Sequence, residues 1–151
     1  MAGIRTGGCQ CGAIRYEVSA DPIALYACHC SECQKQTSSA FGMSMTVPLD
    51  GLRIVKGEPK TWTRSSDSGR AVVCYFCGDC GTRLFHDAKR APDSVNLKPG
   101  TLDDTGWLKP IGNLWTSRAQ PWVHISGEAL NYETQPDDFA SLAVRWREHD
   151  E

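Results

Sequence analysis

Gly8-Cys-Gln-Cys-Gly-Ala-Ile-Arg-Tyr-Glu-Val18 joins two structural signals in one short stretch. Cys9 and Cys11 are a C-x-C pair, and residues i and i+2 of an extended chain point to one side, so the two thiols converge. Directly after them Ile14, Tyr16 and Val18 alternate with Arg15 and Glu17, the period-two pattern of a half-buried strand. A tetrahedral zinc site needs two more ligands than this pair supplies. Cys77 and Cys80, in Phe76-Cys-Gly-Asp-Cys-Gly81, are suited to provide them. The reading is a β-rich chain whose distant parts are joined through one four-thiolate metal site, which would contribute to folding directly.

Working outward, the remaining cysteines are Cys28, Cys30 and Cys33 in Cys28-His-Cys-Ser-Glu-Cys33, and Cys74, three residues before Cys77. A closed site takes four ligands, so eight cysteines do not all serve one metal. The division expected is four plus three with Cys74 left over. Three protein ligands leave a position for water or substrate, the arrangement of catalytic zinc sites. Two alternatives stay open: a second structural site completed by Cys74, or a site that holds no zinc. Soft thiolates also suit Cu(I) or iron. Cys74 is either inert and buried or a spare ligand.

With 151 residues, 40% hydrophobic and 23% charged, the chain reads as one folded domain over 1–151 rather than a disordered one. No apolar run approaches the roughly 20 residues of a membrane span. The start of the chain lacks the apolar segment of a secretory signal, so a cytoplasmic location is expected. In that reducing setting clustered cysteines read as metal ligands, not disulfides. A formal net charge of −2, made more negative by metal-bound thiolates, argues against generic nucleic-acid binding. Oligomeric state is left open.

Strands are expected over 13–18, 23–27, 41–47, 52–56, 60–64, 71–76, 82–86, 94–98, 113–116 and 123–125, with turns at 48–51, 57–59, 65–69 and 99–100. One helix is expected, over 136–149, where Phe139, Leu142, Ala143 and Trp146 repeat at helical spacing. Asp137 and Asp138 sit at its start, where the helix dipole favours acids. The class is therefore all-β with one C-terminal helix.

These motifs resemble those of the glutathione-dependent formaldehyde-activating enzymes, the family that also includes centromere protein V. The likeness rests on Gly8 to Tyr16, Cys28-His-Cys-Ser-Glu-Cys-Gln-Lys35, Phe76-Cys-Gly-Asp-Cys-Gly-Thr-Arg-Leu-Phe85, Gly100-Thr-Leu-Asp103 and Pro121-Trp122. The resemblance implies a β-tent fold with two zinc ions. It places Cys9, Cys11, Cys77 and Cys80 at a structural zinc, and Cys28, Cys30 and Cys33 at a catalytic-type zinc with an open position. Two departures stand out. Thr37-Ser38-Ser39 replaces a Thr-Gly-Ser segment common in relatives, and Asn113 stands where a histidine is expected.

The implied activity is that of a carbon–sulfur lyase of the S-hydroxymethylglutathione synthase type, with a small thiol such as glutathione as partner. Zinc deprotonates a coordinated thiol, but a thiolate of lowered pKa is also a weaker nucleophile. Positioning is then the main catalytic gain. A competing class is a non-catalytic zinc module that binds a protein partner; a third is a lyase acting on another thiol. Around the open site, His29 is read as pointing away from the metal, either a proton shuttle or a structural histidine. His86 and His124 are weaker candidates. Asn113 and Arg118 line a pocket or pack, Lys35 and Arg83 meet a glutathione carboxylate or lie on the surface, and Trp107, Trp115 and Trp122 wall a cleft or fill a core.

Overall fold

The computed structural model describes residues 3–66, 69–89 and 93–150. In chain order they form β1 (Arg5–Gly8), β2 (Arg15–Val18), β3 (Ala24–Cys28), α1 (Ser31–Thr37), β4 (Gly42–Pro48), β5 (Leu52–Lys56) and β6 (Lys60–Ser65). They continue with β7 (Ala71–Phe76), β8 (Arg83–Asp87), β9 (Ser94–Leu97), β10 (Gly112–Leu114), β11 (Leu130–Asn131) and α2 (Ala140–Asp150). The chain is mainly β with a C-terminal helix. It divides into two compact units, the first made of residues up to Pro22 with Thr46–Trp107, the second of Ile23–Met45 with Leu108 onward.

In the first unit β1, β2 and β5 make an antiparallel sheet in that order. Tyr16 and Val18, on the apolar face of the alternation, are fully buried. The bidentate pair of Arg15 on Asp103, reinforced by Thr6 Oγ1 donating to Asp103 at 2.6 Å, fastens β1 and β2 to the segment after β9. Strands β6, β7, β8 and β9 are antiparallel neighbours in sequence order, each antiparallel to the next.

In the second unit β3 lies between β10 and β4, and β10 runs parallel to both β3 and β11. All five residues of β3 are buried, as a strand covered on both faces requires. Helix α2 supplies one cover: Leu142 and Trp146 are buried, and Phe139 just before the helix packs on Tyr26 with ring centroids 5.4 Å apart. Asp138 accepts the Ala140 N–H at 2.8 Å, satisfying one of the donors that a helix start leaves unpaired.

The expected strands at 13–18, 41–47, 52–56, 60–64, 71–76, 82–86 and 94–98 correspond to β2, β4 to β9 within a few residues. Three departures have local causes. The C-x-x-C of Cys30 and Cys33 is not an isolated turn but opens α1, with the Cys30 sulfur accepting the Cys33 N–H at 3.4 Å in the manner of an N-cap. Residues 123–125 form no strand, because a turn closes there with Val123 N–H donating to Gln120 O at 3.0 Å after Pro121. Thr116 leaves β10 because Trp115 adopts φ 59°, which turns the chain into a 3-10 turn. Strands β1 and β11 carry too few apolar residues to announce themselves. Among the described residues no helix is long and apolar enough to cross a membrane.

Candidate metal centres

Two groups of thiols form, with the membership that sequence spacing suggests. Cys9, Cys11, Cys77 and Cys80 lie in the first unit with all four sulfurs within 4.8 Å of one another. Cys9 to Cys11 is 3.6 Å and Cys11 to Cys77 is 3.8 Å between sulfurs. A regular tetrahedron with ~2.3 Å metal–sulfur bonds has an edge of about 3.8 Å, so these spacings suit zinc.

Two loops build this group by the same means. In one, Cys9 N–H donates to Ile14 O and Gly12 N–H to Cys9 O; in the other, Cys77 N–H donates to Thr82 O, and Gly81 N–H to Cys77 O. Each loop turns through a glycine at φ +81°, Gly12 and Gly81, a conformation that other residues adopt only with strain. Ile14 N–H then donates to the Cys9 sulfur at 3.2 Å. Thr82, which no local sequence pattern singles out, serves both loops. Its hydroxyl accepts the Gln10 N–H at 3.1 Å and donates to the Cys80 sulfur at 3.2 Å.

Those contacts set the thiols apart electrostatically. The Thr82 hydroxyl, the Thr82 N–H and the Cys11 N–H hold Cys80 down at about 5. Burial pushes the Cys9 thiol up, but the Ile14 N–H and the thiols of Cys11 and Cys77 outweigh it and leave it below the ordinary thiol range. The Ala13 N–H lowers Cys11, yet crowding by Cys9 and Cys80 carries it up to about 12. A cation among the four sulfurs removes that competition, since it favours every thiolate at once.

The second group is Cys28, Cys30 and Cys33, again within 4.8 Å, in the second unit. Cys28 ends β3, and Cys30 and Cys33 bracket the first turn of α1. Hydrogen bonds from the Cys28 and Cys33 thiols, with the N–H groups of Cys33 and Glu32, favour the Cys30 thiolate and hold it at about 2. Cys28 is displaced upward, first by its hydrogen bond to Cys30, then by Cys33 and by burial. Among the described residues no fourth cysteine, histidine or carboxylate joins this group. Cys74 belongs to neither group; it is fully buried in the first unit with Val72 and Ala88.

Around the three thiols His29 is 1% exposed, and its Nε2 lies 2.9 Å from Asn113 Oδ1. Its Nδ1 is buried with no hydrogen-bond partner. Gln34 of α1 holds the loop in place, donating to His29 O at 2.8 Å and to Arg118 O at 2.9 Å. A groove of about 680 Å³ runs beside α1, lined by Ser31, Lys35, Ser38, Gln120 and Trp122 among others. Lys35 and Trp122 are thus placed on it. Arg118 and His124 are exposed. Trp115 donates from its indole to Gln135 in the second unit, while Trp107 of the first unit receives the Arg5 guanidinium on its ring at 4.3 Å. Arg83 lies over the Phe76 ring in the first unit.

The family model for glutathione-dependent formaldehyde-activating enzymes matches residues 4–118. A Penicillium rubens protein named for the same activity is 29% identical over 109 residues, which are 68% of this chain and 55% of that protein. A Talaromyces marneffei protein of the same name is 28% identical over 107 residues, 68% of this chain and 56% of the other. The chain therefore spans about half the length of the curated relatives it matches. A Rhodobacter sphaeroides protein of known crystal structure superposes with a TM-score of 0.53 at 23% identity, over 70% of this chain and 91% of that one, a likeness of fold.

Proposed function

This chain belongs to the glutathione-dependent formaldehyde-activating enzyme family, and from that membership we propose that it is a zinc enzyme joining a small thiol, such as glutathione, to formaldehyde. The observation that carries the reading is the contrast between its thiol groups: four sulfurs in one, three in the other with no fourth ligand among the described residues. In this reading Cys9, Cys11, Cys77 and Cys80 hold a structural zinc. Cys28, Cys30 and Cys33 hold a second, whose remaining position takes the substrate sulfur. Zinc bound there supplies the positive charge that keeps a substrate thiol deprotonated at neutral pH.

The chain's own part is placement. The thiol sulfur adds to the carbonyl carbon of formaldehyde, a C–S bond forms as the C=O π bond opens, and the thiol proton ends on the new hydroxyl, giving S-hydroxymethylglutathione. Three thiolates already on the metal make it a weak electrophile, so holding the two reactants together contributes most. The groove beside α1 has the volume of a small-ligand site. Lys35 offers a cation to a carboxylate of the tripeptide, and Trp122, 74% exposed, offers a face for its peptide groups.

Native mass spectrometry of anaerobically purified protein, with and without excess glutathione, tests this. Two zinc ions with one bound glutathione, the latter lost in Cys30→Ala, is the expected result. Two zinc ions without a thiol adduct would remove the case for glutathione, and one zinc per chain would favour a non-catalytic module.

A further inference from the structure

Arg64 and Arg83 lie on one face of the β6–β9 sheet, and among the described residues no carboxylate forms an ion pair with either. Strand pairing sets that face: His86 stands opposite Cys74 and Asn96, and Arg64 opposite Val72. Residues two apart on a strand share a face, so Arg64, Val72, Cys74, His86 and Asn96 lie together. Arg83 would by alternation fall on the other side with Phe85. The bulge between β7 and β8 instead sets it opposite Phe76, whose ring its guanidinium covers at 5.6 Å. Lys98 continues the Asn96 side just beyond β9, its N–H donating to Leu84 O at 2.8 Å.

The donors on this face are unusually bare. Arg64 Nε, Arg83 Nη1 and His86 Nε2 are buried atoms with no hydrogen-bond partner, and His86 as a whole is 5% exposed. Among the described residues the carboxylate ion pairs are Arg15–Asp103, Arg53–Glu17 and Lys89–Asp87, and none reaches Arg64 or Arg83. Desolvated donors without acceptors are costly, most of all charged ones. Burial, with the cations Lys98, Arg83 and Arg64 next in effect, holds His86 down at about 2, so the ring stays neutral. An anion settling here gains several donors at once and relieves the mutual repulsion of the cations.

We propose that this face of the first unit binds a small oxyanion, a carboxylate or a phosphate, gripped by Arg64 and Arg83 with His86 Nε2 as a third donor. The forked guanidinium geometry suits a group with two adjacent acceptor oxygens. None of these residues belongs to either thiol group, so the site does not depend on the activity assigned above.

The test follows the His86 ring resonances by NMR in the full zinc-loaded chain. Inorganic phosphate and acetate are titrated separately at constant ionic strength, with chloride as the control. A saturable shift with phosphate or acetate, absent with chloride, is expected; the tighter of the two identifies the tetrahedral or the planar anion. Arg64→Gln should weaken that binding about tenfold. Arg64→Lys, which keeps the charge and loses the buried Nε donor, should weaken it several-fold and serves if the first variant perturbs the fold. No saturable response to either anion overturns the proposal, as does an affinity unchanged in both folded variants.

Discussion

His29 is held by Asn113 in a hydrogen bond whose direction can be worked out from its far end. Asn131 Nδ2 donates to the Ser126 carbonyl at 2.9 Å, so Asn131 Oδ1 is the acceptor for Asn113 Nδ2 at 3.0 Å. Asn113 Oδ1 is then left to accept, and His29 Nε2, 2.9 Å away, must carry the proton. The neutral ring is therefore the Nε2–H tautomer, with a bare, buried Nδ1. Asn113 accepts on one side and donates on the other at any pH, whereas a histidine could do both only while its ring is neutral.

Asn113→Leu is expected to leave the buried His29 donor unpaired, while the exposed Asn131 acceptor turns to water. The cost should be about 1–3 kcal/mol, the usual penalty for an orphaned buried polar group. Urea denaturation measures the loss. Nitrogen-15 shifts of the wild-type ring should report a protonated Nε2 and an unprotonated Nδ1; the opposite tautomer would refute the relay.

Asp103 gives a pH dependence of known sign. Hydrogen bonds from Arg15 and Thr6 hold its carboxyl at about 2, below the ordinary range. The pair therefore stabilises the fold above the unfolded value of about 4 and loses that contribution as pH falls toward 2. Both side chains are well exposed, so solvent screening keeps the effect under about 1 kcal/mol. Asp103→Asn should cost that much at pH 7, a smaller part at pH 2 and nothing only well below it, and Arg15→Gln should return the Asp103 titration toward 4. An Asp103 midpoint already near 4 in the wild-type protein would contradict it.

Ser38 ends α1 in the left-handed region, at φ 51° and ψ 39°, with its N–H donating to Gln34 O. A side chain in that conformation costs roughly 1 kcal/mol that glycine does not, less a part returned through the looser unfolded chain. Ser38→Gly should raise stability by about 0.5 kcal/mol, read as a higher urea midpoint with an unchanged slope. A lower midpoint would mean that the serine hydroxyl does more for the fold than its backbone strain takes away.

That position also shows what the sequence makes legible. The departure from Thr-Gly-Ser at Ser38 is visible in the letters, and the positive φ explains why glycine is at home there. The alternation of Ile14, Tyr16 and Val18 follows from backbone periodicity, and the grouping of Cys9 and Cys11 with Cys77 and Cys80 from the four ligands a closed site needs; the three apolar residues are buried and the four sulfurs lie together. Helix α1 was hidden because its seven residues, Ser31–Thr37, carry no apolar period; its only buried residue is Cys33. Thr82 and Gln34 were hidden for another reason. Their roles rest on hydrogen bonds to residues 72 and 84 positions away, Gln10 and Arg118, which no local pattern encodes.

The two thiol groups should differ in what they do for folding. Cys11 and Cys77 bring together sulfurs 66 residues apart, whereas Cys28, Cys30 and Cys33 are neighbours in sequence. A metal that closes the first group constrains a long loop and couples its binding energy to folding; one in the second orders only a short turn. Cys11→Ala should therefore remove one zinc and more than about 3 kcal/mol of stability, and a chelator strong enough to empty both sites should unfold the first unit. Cys30→Ala should also remove one zinc but cost less than about 1.5 kcal/mol, leaving a folded chain. Zinc content by mass spectrometry beside urea denaturation separates the cases. Equal destabilisation by the two substitutions would mean that the three-thiol group is as structural as the four-thiol one, and the case for a substrate position on it would fall with that result.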